Sequence, residues 1–340
     1  MAGLLISICV FNHLACHKMV AVPLLKWEQF VKCISFVSRF INTKFLRRGI
    51  SFMKKALVFV FAEALATSGF AQDADHGNCH DGLSTELNGD NNRAAAQAAA
   101  AAGNVTYHTG GRVIRNAHVV DIFWGSFPAG YTTSMQNFRN QYGTTGEFNT
   151  ITQYTGIDDA TGTTGAIALS NLAGSSTPDF FDTTTPPTNV TDAKVVAEVK
   201  KAIAAHGSTD YSAVYEVFIP SGSYSSDGSS TSCGGPNLAY CAYHWFYTDT
   251  AGKHVKYSIQ PWAGCSGCKA FNNTSLDEEH FVCHETREAV TDAIGNAWFD
   301  SVGNEADDKC AWSPAPFIGT GGFGYQYEWS NANGGCVKTR

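Results

Sequence analysis

Along the chain, stretches whose apolar residues recur every second position alternate with stretches where they recur every third or fourth. The first period belongs to strands and the second to helices. Val113-Ile114 and then His118-Val119-Val120-Asp121-Ile122-Phe123-Trp124 predict one or two strands, ended by Gly125. Met135, Phe138, Tyr142, Phe148, Ile151 and Tyr154 keep mainly helical spacing, and Gly143 and Gly146 predict a break between two pieces. Residues 156–188, rich in Thr, Gly, Ser and Pro, read as loop with one short strand. Thr191-Asp192 caps a helix over Ala193–Ala205, which His206-Gly207 ends. Ala213–Pro220 reads as a strand and Ser221–Pro236 as a loop. Ala239–Thr248 and His254–Pro261 form the arms of a hairpin.

The last long pattern opens at Ser275, which with Glu278 fits a capping box. Leu276, Cys283, Val290 and Ile294 then fall on one stripe, and Gly295 is the stop signal. His284 and Glu288 lie to one side of that stripe. The helix 276–294 is therefore expected to pack through its apolar face while the His/Glu face lines a cleft.

The N-terminal pattern is different in kind. Met53-Lys54-Lys55 is followed by a mostly apolar run, Ala56–Ala66, interrupted by Glu63, and then by Gly69-Phe70-Ala71. Residues 53–71 read as a secretory signal peptide, with a mature start near Gln72. Residues 1–52 then form an upstream extension, as from a start codon placed too early. Residues 72–106, polar and then alanine-rich, read as a linker or loosely docked arm. Residues 107–340 remain as a single domain.

A content of 44% hydrophobic and 16% charged residues supports a sizeable core. No run is long and apolar enough for a membrane span. Residues 1–71 carry nine of the 23 Lys/Arg and two of the 30 Asp/Glu, so the remainder has 14 basic and 28 acidic residues, a net −14. That balance argues against nucleic acid or an anionic membrane as partner. Of the 11 cysteines, Cys9, Cys16 and Cys33 precede the signal peptide, and eight follow it. An even number in an exported chain points to disulfides. Sequence alone does not fix the pairing; the expectation is Cys233–Cys241, Cys265–Cys268, Cys283–Cys310 and Cys79–Cys336.

The candidate chemistry lies in Cys283-His284-Glu285-Thr286-Arg287-Glu288. Four residues apart on a helix, His284 and Glu288 point from one face, with Glu285 beside them. A helix bearing His-Glu-x-x-His is a zinc-hydrolase device: the histidines hold the metal and the glutamate takes a proton from the bound water. Here Glu288 stands for the second histidine. A carboxylate binds zinc at about 2.0–2.2 Å, so coordination survives. Its added charge weakens the Lewis acid and makes harder cations more competitive. His244, on a strand, is a candidate for substrate binding or oxyanion stabilisation. His280, one turn before His284, is an alternative ligand to Glu288 but reads rather as a solvated surface residue.

Asn304-Glu305-Ala306-Asp307-Asp308 resembles the segment of thermolysin-like zincins that supplies a third ligand from a second helix. That resemblance implies Glu305 as third ligand and Asp308 as the partner orienting His284. The same segments resemble the phosphate-induced/EXORDIUM family of plants and its bacterial relatives. The matching residues are His118–Gly125, Cys241-Ala242-Tyr243-His244, His284-Glu285-x-x-Glu288-Ala289-x-Thr291-Asp292, Asn296-Ala297-Trp298, Glu305–Cys310 and Tyr327-Glu328-Trp329-Ser330-Asn331. Here Ala293 follows Asp292 where the family often has proline. The resemblance implies a secreted protein associated with the cell wall or apoplast.

The resulting expectation is an α/β, disulfide-stabilised domain with a zincin-like mixed twisted sheet packed on the active-site helix. Its function would be that of a secreted or periplasmic zinc peptidase, monomeric, acting on a peptide or protein or a cell-wall component. Zinc, or another divalent metal, would sit on His284, Glu288 and Glu305, with Glu285 as base. The alternative is a non-catalytic, EXORDIUM-like extracellular binding protein that keeps the scaffold.

Overall fold

The computed structural model describes residues 103–340. The upstream extension, the signal peptide, nearly all of the linker and Cys79 lie outside the described residues. Val105 is already buried in the core.

The chain enters through β1 (Thr106–Tyr107) and β2 (Arg112–Val113) into the long strand β3 (His118–Trp124) and helix α1 (Tyr131–Tyr142). Gly143 caps the helix and only glycine fits there, since a Cβ would meet the Ser170 carbonyl oxygen at 2.2 Å. Phe148–Gln153 resumes as a 3-10 turn. Residues 156–188 hold more strand than expected: β4 (Thr155–Asp158), β5 (Thr164–Ala166) and β6 (Phe180–Asp182). Each is short and gains its order from pairing, β4 with β2, β5 with β4 and β6 with β3, which composition does not reveal. β7 (Asn189–Thr191) leads into α2 (Asp192–His206), closed by Gly207 at φ 73°. Then come β8 (Ala213–Ile219), β9 (Tyr224–Asp227), β10 (Ser230–Thr231) and the expected hairpin, β11 (Tyr243–Thr248) and β12 (His254–Pro261). After α3 (Thr274–Thr291) only short strands follow: β13 (Trp298–Phe299), β14 (Phe317–Ile318), β15 (Gly324–Tyr325), β16 (Glu328–Ser330) and β17 (Gly335–Val337).

The architecture is mixed α/β with several sheets. The central one has strand order β11-β12-β8-β3-β6, with β11 antiparallel at one edge and the other neighbours parallel. Side chains alternate across it. Tyr215, Val217 and Ile219 of β8 pack with Val195, Val199 and Ala202 of α2. Val214 and Phe218 face the other way, toward Met135 and Phe138 of α1 and Val282 and Val290 of α3. On this second face one row is polar. His244, Ser258, Glu216 and Asp121 are successive neighbours across four strands. Thr286 of α3 donates to Glu216 at 2.6 Å, and Arg139 of α1 lies 3.4 Å from Asp121.

The disulfides are Cys233–Cys265, Cys241–Cys268 and Cys310–Cys336, and Cys283 is a free, buried thiol. The expected pairs Cys233–Cys241, Cys265–Cys268, Cys283–Cys310 and Cys79–Cys336 are therefore incorrect, the last because Cys336 is bonded to Cys310. The antiparallel hairpin explains the first two. It lays the segment entering β11 beside the segment leaving β12, so each cysteine of one meets a cysteine of the other. Cys283 instead points into the core, within 3.3 Å of the Tyr142 hydroxyl. No helix among the described residues is long and apolar enough to cross a membrane.

Candidate metal centre

Helix α3 starts one residue before the expected Ser275. Asn273 is its cap, accepting from the Ser275 and Leu276 amides at 3.1 and 3.4 Å. The expected capping box does not form, because Glu278 turns inward and accepts from the Ala263 amide. The helix ends at Thr291, before the expected Gly295. Every residue from Asp277 to Thr291 is buried, so no face of α3 is left bare. Its polar side chains have internal partners. Glu279 accepts from Ser134 and from the Gly324 amide. Gly324 approaches so closely that a Cβ there would meet the Leu276 carbonyl oxygen at 2.1 Å. Only glycine lets β15 lie against the helix, and that contact carries Gln326 to His284.

Gln326 is the orienting residue that sequence reasoning missed. His284 Nδ1 lies 3.2 Å from Gln326 Oε1. Gln326 Nε2 donates to the Asp307 backbone oxygen and to Asp307 Oδ1, which fixes the amide's direction. Its oxygen can only accept, so Nδ1 of a neutral His284 carries the proton and Nε2 is the unprotonated nitrogen. Nε2 faces Glu288 Oε2 at 3.1 Å and Asp308 Oδ1 at 3.8 Å. Asp308 is thus on the ligand side of the imidazole, not on the orienting side where it was expected. It also ties its own loop together. Its amide donates to Glu288 Oε1, and its Oδ2 accepts from the Glu305 amide.

His244, from edge strand β11, enters from the opposite side. Its Nδ1 lies 3.1 Å from Glu285 Oε2 and 3.6 Å from Glu288 Oε2, and its Nε2 lies 3.7 Å from Glu305 Oε2. Two groups of three donors result, each with ligand atoms within 4.8 Å of one another: His284, Glu288 and Asp308, and His244, Glu285 and Glu288. Glu305, the expected third ligand, stands beside His244 and belongs to neither. The expected second helix is absent: a 3-10 turn at Asp308–Cys310 replaces it, and the turn presents Asp308 to His284.

The electrostatics fit a cation. Burial, reinforced by Asp308, holds the Glu288 carboxyl well above the usual carboxylate range, and burial pushes Glu285 up to about 7. The flanking cationic side chains serve other carboxylates. Arg287 is bound to Asp307 and Glu328, and Lys309 to Asp300 at 2.9 Å. A buried set of imidazoles and carboxylates suits zinc, and harder divalent cations as well. The cysteine group Cys233, Cys265 and Cys268 does not compete, since all three sulfurs are in disulfides.

His280 is not at the surface. It is fully buried against Trp312, neither ring nitrogen has a hydrogen-bond partner, and burial lowers its pKa to about 3. It belongs to neither donor group. Among nearby aromatics, Trp312 is buried and Trp262 packs on the core.

No protein-family model matches the chain, and comparison with curated proteins and with solved structures finds no match.

Proposed function

We propose that the protein is a secreted, metal-dependent hydrolase of zincin-like type that cleaves peptide bonds. One observation carries the reading: His284 Nε2, Glu288 Oε2 and Asp308 Oδ1 converge next to Glu285. A divalent cation held by these three residues would supply a Lewis acid that acidifies a water and polarises a carbonyl. The protein's own groups would do the rest. Gln326 holds His284 in the tautomer with the proton on Nδ1 and not on Nε2. Glu285 takes the water's proton, and a carboxyl raised by burial is suited to accept and return one near neutral pH. His244 faces Glu285 and positions this base, in place of the oxyanion role expected for it. Substrate enters on the side of His244 and Glu305, whose side chains are 11% and 17% exposed. The disulfides support an oxidising compartment.

The test is peptidase activity on an unfolded protein, measured with and without chelator and in Glu285→Gln. The expected result is activity that the chelator removes and the substitution abolishes. Unchanged activity in Glu285→Gln sinks the mechanism.

The burial of His284, Glu285 and Glu288 favours a second reading, a non-catalytic EXORDIUM-like wall-associated protein that keeps metal for structure. It predicts one retained metal, no turnover, and measurable binding to cell-wall glycans.

A further inference from the structure

We propose that this chamber takes two divalent cations that share Glu288, the second held by His244, Glu285 and Glu288. The inference rests on the metal reading above and extends it. The two histidines come from different elements, His284 from α3 and His244 from β11. Their nitrogens lie 3.1 and 3.6 Å from the same Glu288 oxygen. Each imidazole has its own second carboxylate, Asp308 for His284 and Glu285 for His244. A carboxylate common to two donor groups is the arrangement that holds cations about 3.5–4 Å apart in two-metal sites.

Charge supports the same count. Glu285, Glu288, Glu305 and Asp308 bring four negative charges, and two neutral imidazoles bring none. One divalent cation leaves a residual charge of about −2 among largely buried side chains, which is costly. Two cations bring it to zero. Glu305 Oε2 lies 3.7 Å from His244 Nε2, the ring nitrogen turned away from the second position, so it adds charge nearby without being a ligand. The roles of Glu285 then alternate. With the second position empty it is a proton acceptor; with it filled it is a ligand. Hydrolysis by the one-cation route and occupancy of the second position exclude one another.

The experiment uses the full chain, stripped with chelator and titrated with Mn2+. Free ion is counted from its magnetic-resonance signal, and folding is checked by circular dichroism. Two equivalents are expected in the parent, one in His244→Ala, one in Asp308→Ala and none in Glu288→Ala. The doubly loaded parent should show spin coupling between neighbouring ions, which both single-site variants lose; this readout needs no variant to establish proximity. One equivalent in the parent, kept in His244→Ala, overturns the second position and leaves the metal reading intact. Two uncoupled ions, or two retained in His244→Ala, also overturn it. No bound Mn2+ in the parent overturns both.

Discussion

Arg287 is the largest fully buried side chain of the described domain. Nε donates to Asp307 Oδ2 at 3.0 Å and lies 3.2 Å from Glu328 Oε2, and Nη2 donates to Asp307 Oδ1 and to the Gln326 backbone oxygen. Replacing Arg287 with methionine keeps an unbranched stem but is shorter, and it removes the charge and every donor. Asp307 is then left uncompensated, and burial already raises its pKa even with the guanidinium present. Glu328, pushed up to about 8 by burial, holds a proton at neutral pH and contributes less. Removing one partner of a buried pair costs about 3–5 kcal/mol. In a domain of this size each kcal/mol is worth roughly 2–4 °C in Tm, so the melting point should fall by roughly 6–20 °C. The assay is urea unfolding at neutral pH with the m-value held in view, so that stability is separated from a change in the unfolded state. Arg287→Met/Asp307→Asn should recover part of the loss, because it removes the stranded charge. The loss in the single variant should also shrink as pH falls, because burial raises the Asp307 pKa and lets the stranded carboxylate take a proton. A single variant that loses under about 1 kcal/mol, or a double that loses the sum of both singles, refutes the assignment.

Gln326→Leu removes the acceptor at His284 Nδ1 and should weaken metal affinity about 10–100-fold in chelator competition; unaltered affinity removes Gln326 from the site. Glu278 is pushed from 4.5 to about 8 by burial. Between those values the folded state keeps a proton that the unfolded chain has released, so this residue's contribution to stability falls as pH rises. Glu278→Gln should therefore match the parent at about pH 4 and exceed it at about pH 8.5 by an amount on the order of a few kcal/mol; superimposable pH profiles would contradict this. Cys283 is buried, with its thiol pushed up to about 11 by desolvation. Residue-resolved mass spectrometry should find it unalkylated in the native protein at about pH 8 and alkylated after denaturation; rapid native labelling would show that α3 is not enclosed.

What could be read from the sequence was what neighbours in the chain determine. His284, Glu285 and Glu288 share a helical turn, so their convergence follows from spacing. The β11–β12 hairpin and α2 follow from local period and from turn residues such as Gly207. His244 reaches the centre only because β11 pairs at the sheet edge beneath α3, which no local signal encodes. Glu305 and Asp308 are three residues apart, and the choice between them turns on a 3-10 turn where a helix was expected. Gln326 is a neutral amide 42 residues beyond His284, recognisable only through its hydrogen bond. The enclosure of α3 was illegible for the same reason. Its polar side is covered partly by the C-terminal segment, where Gly324 contacts Glu279 and Gln326 contacts His284. Local amphipathicity reports only the apolar stripe. The disulfide pairing needed the hairpin geometry before it could be chosen.

The polar line His244–Ser258–Glu216–Asp121 makes wrong assembly of the central sheet self-penalising. If β8 slid by one position against its neighbours, Glu216 would enter the layer occupied by Val195 and Val199 and would lose Thr286. An unpaired acid there costs several kcal/mol, comparable with the whole margin by which a domain stays folded. An all-aliphatic strand would slide at far smaller cost. The polar row that ends at His244, in the candidate metal centre, therefore acts as a proofreading key, admitting one alignment of the strands and rejecting its neighbours.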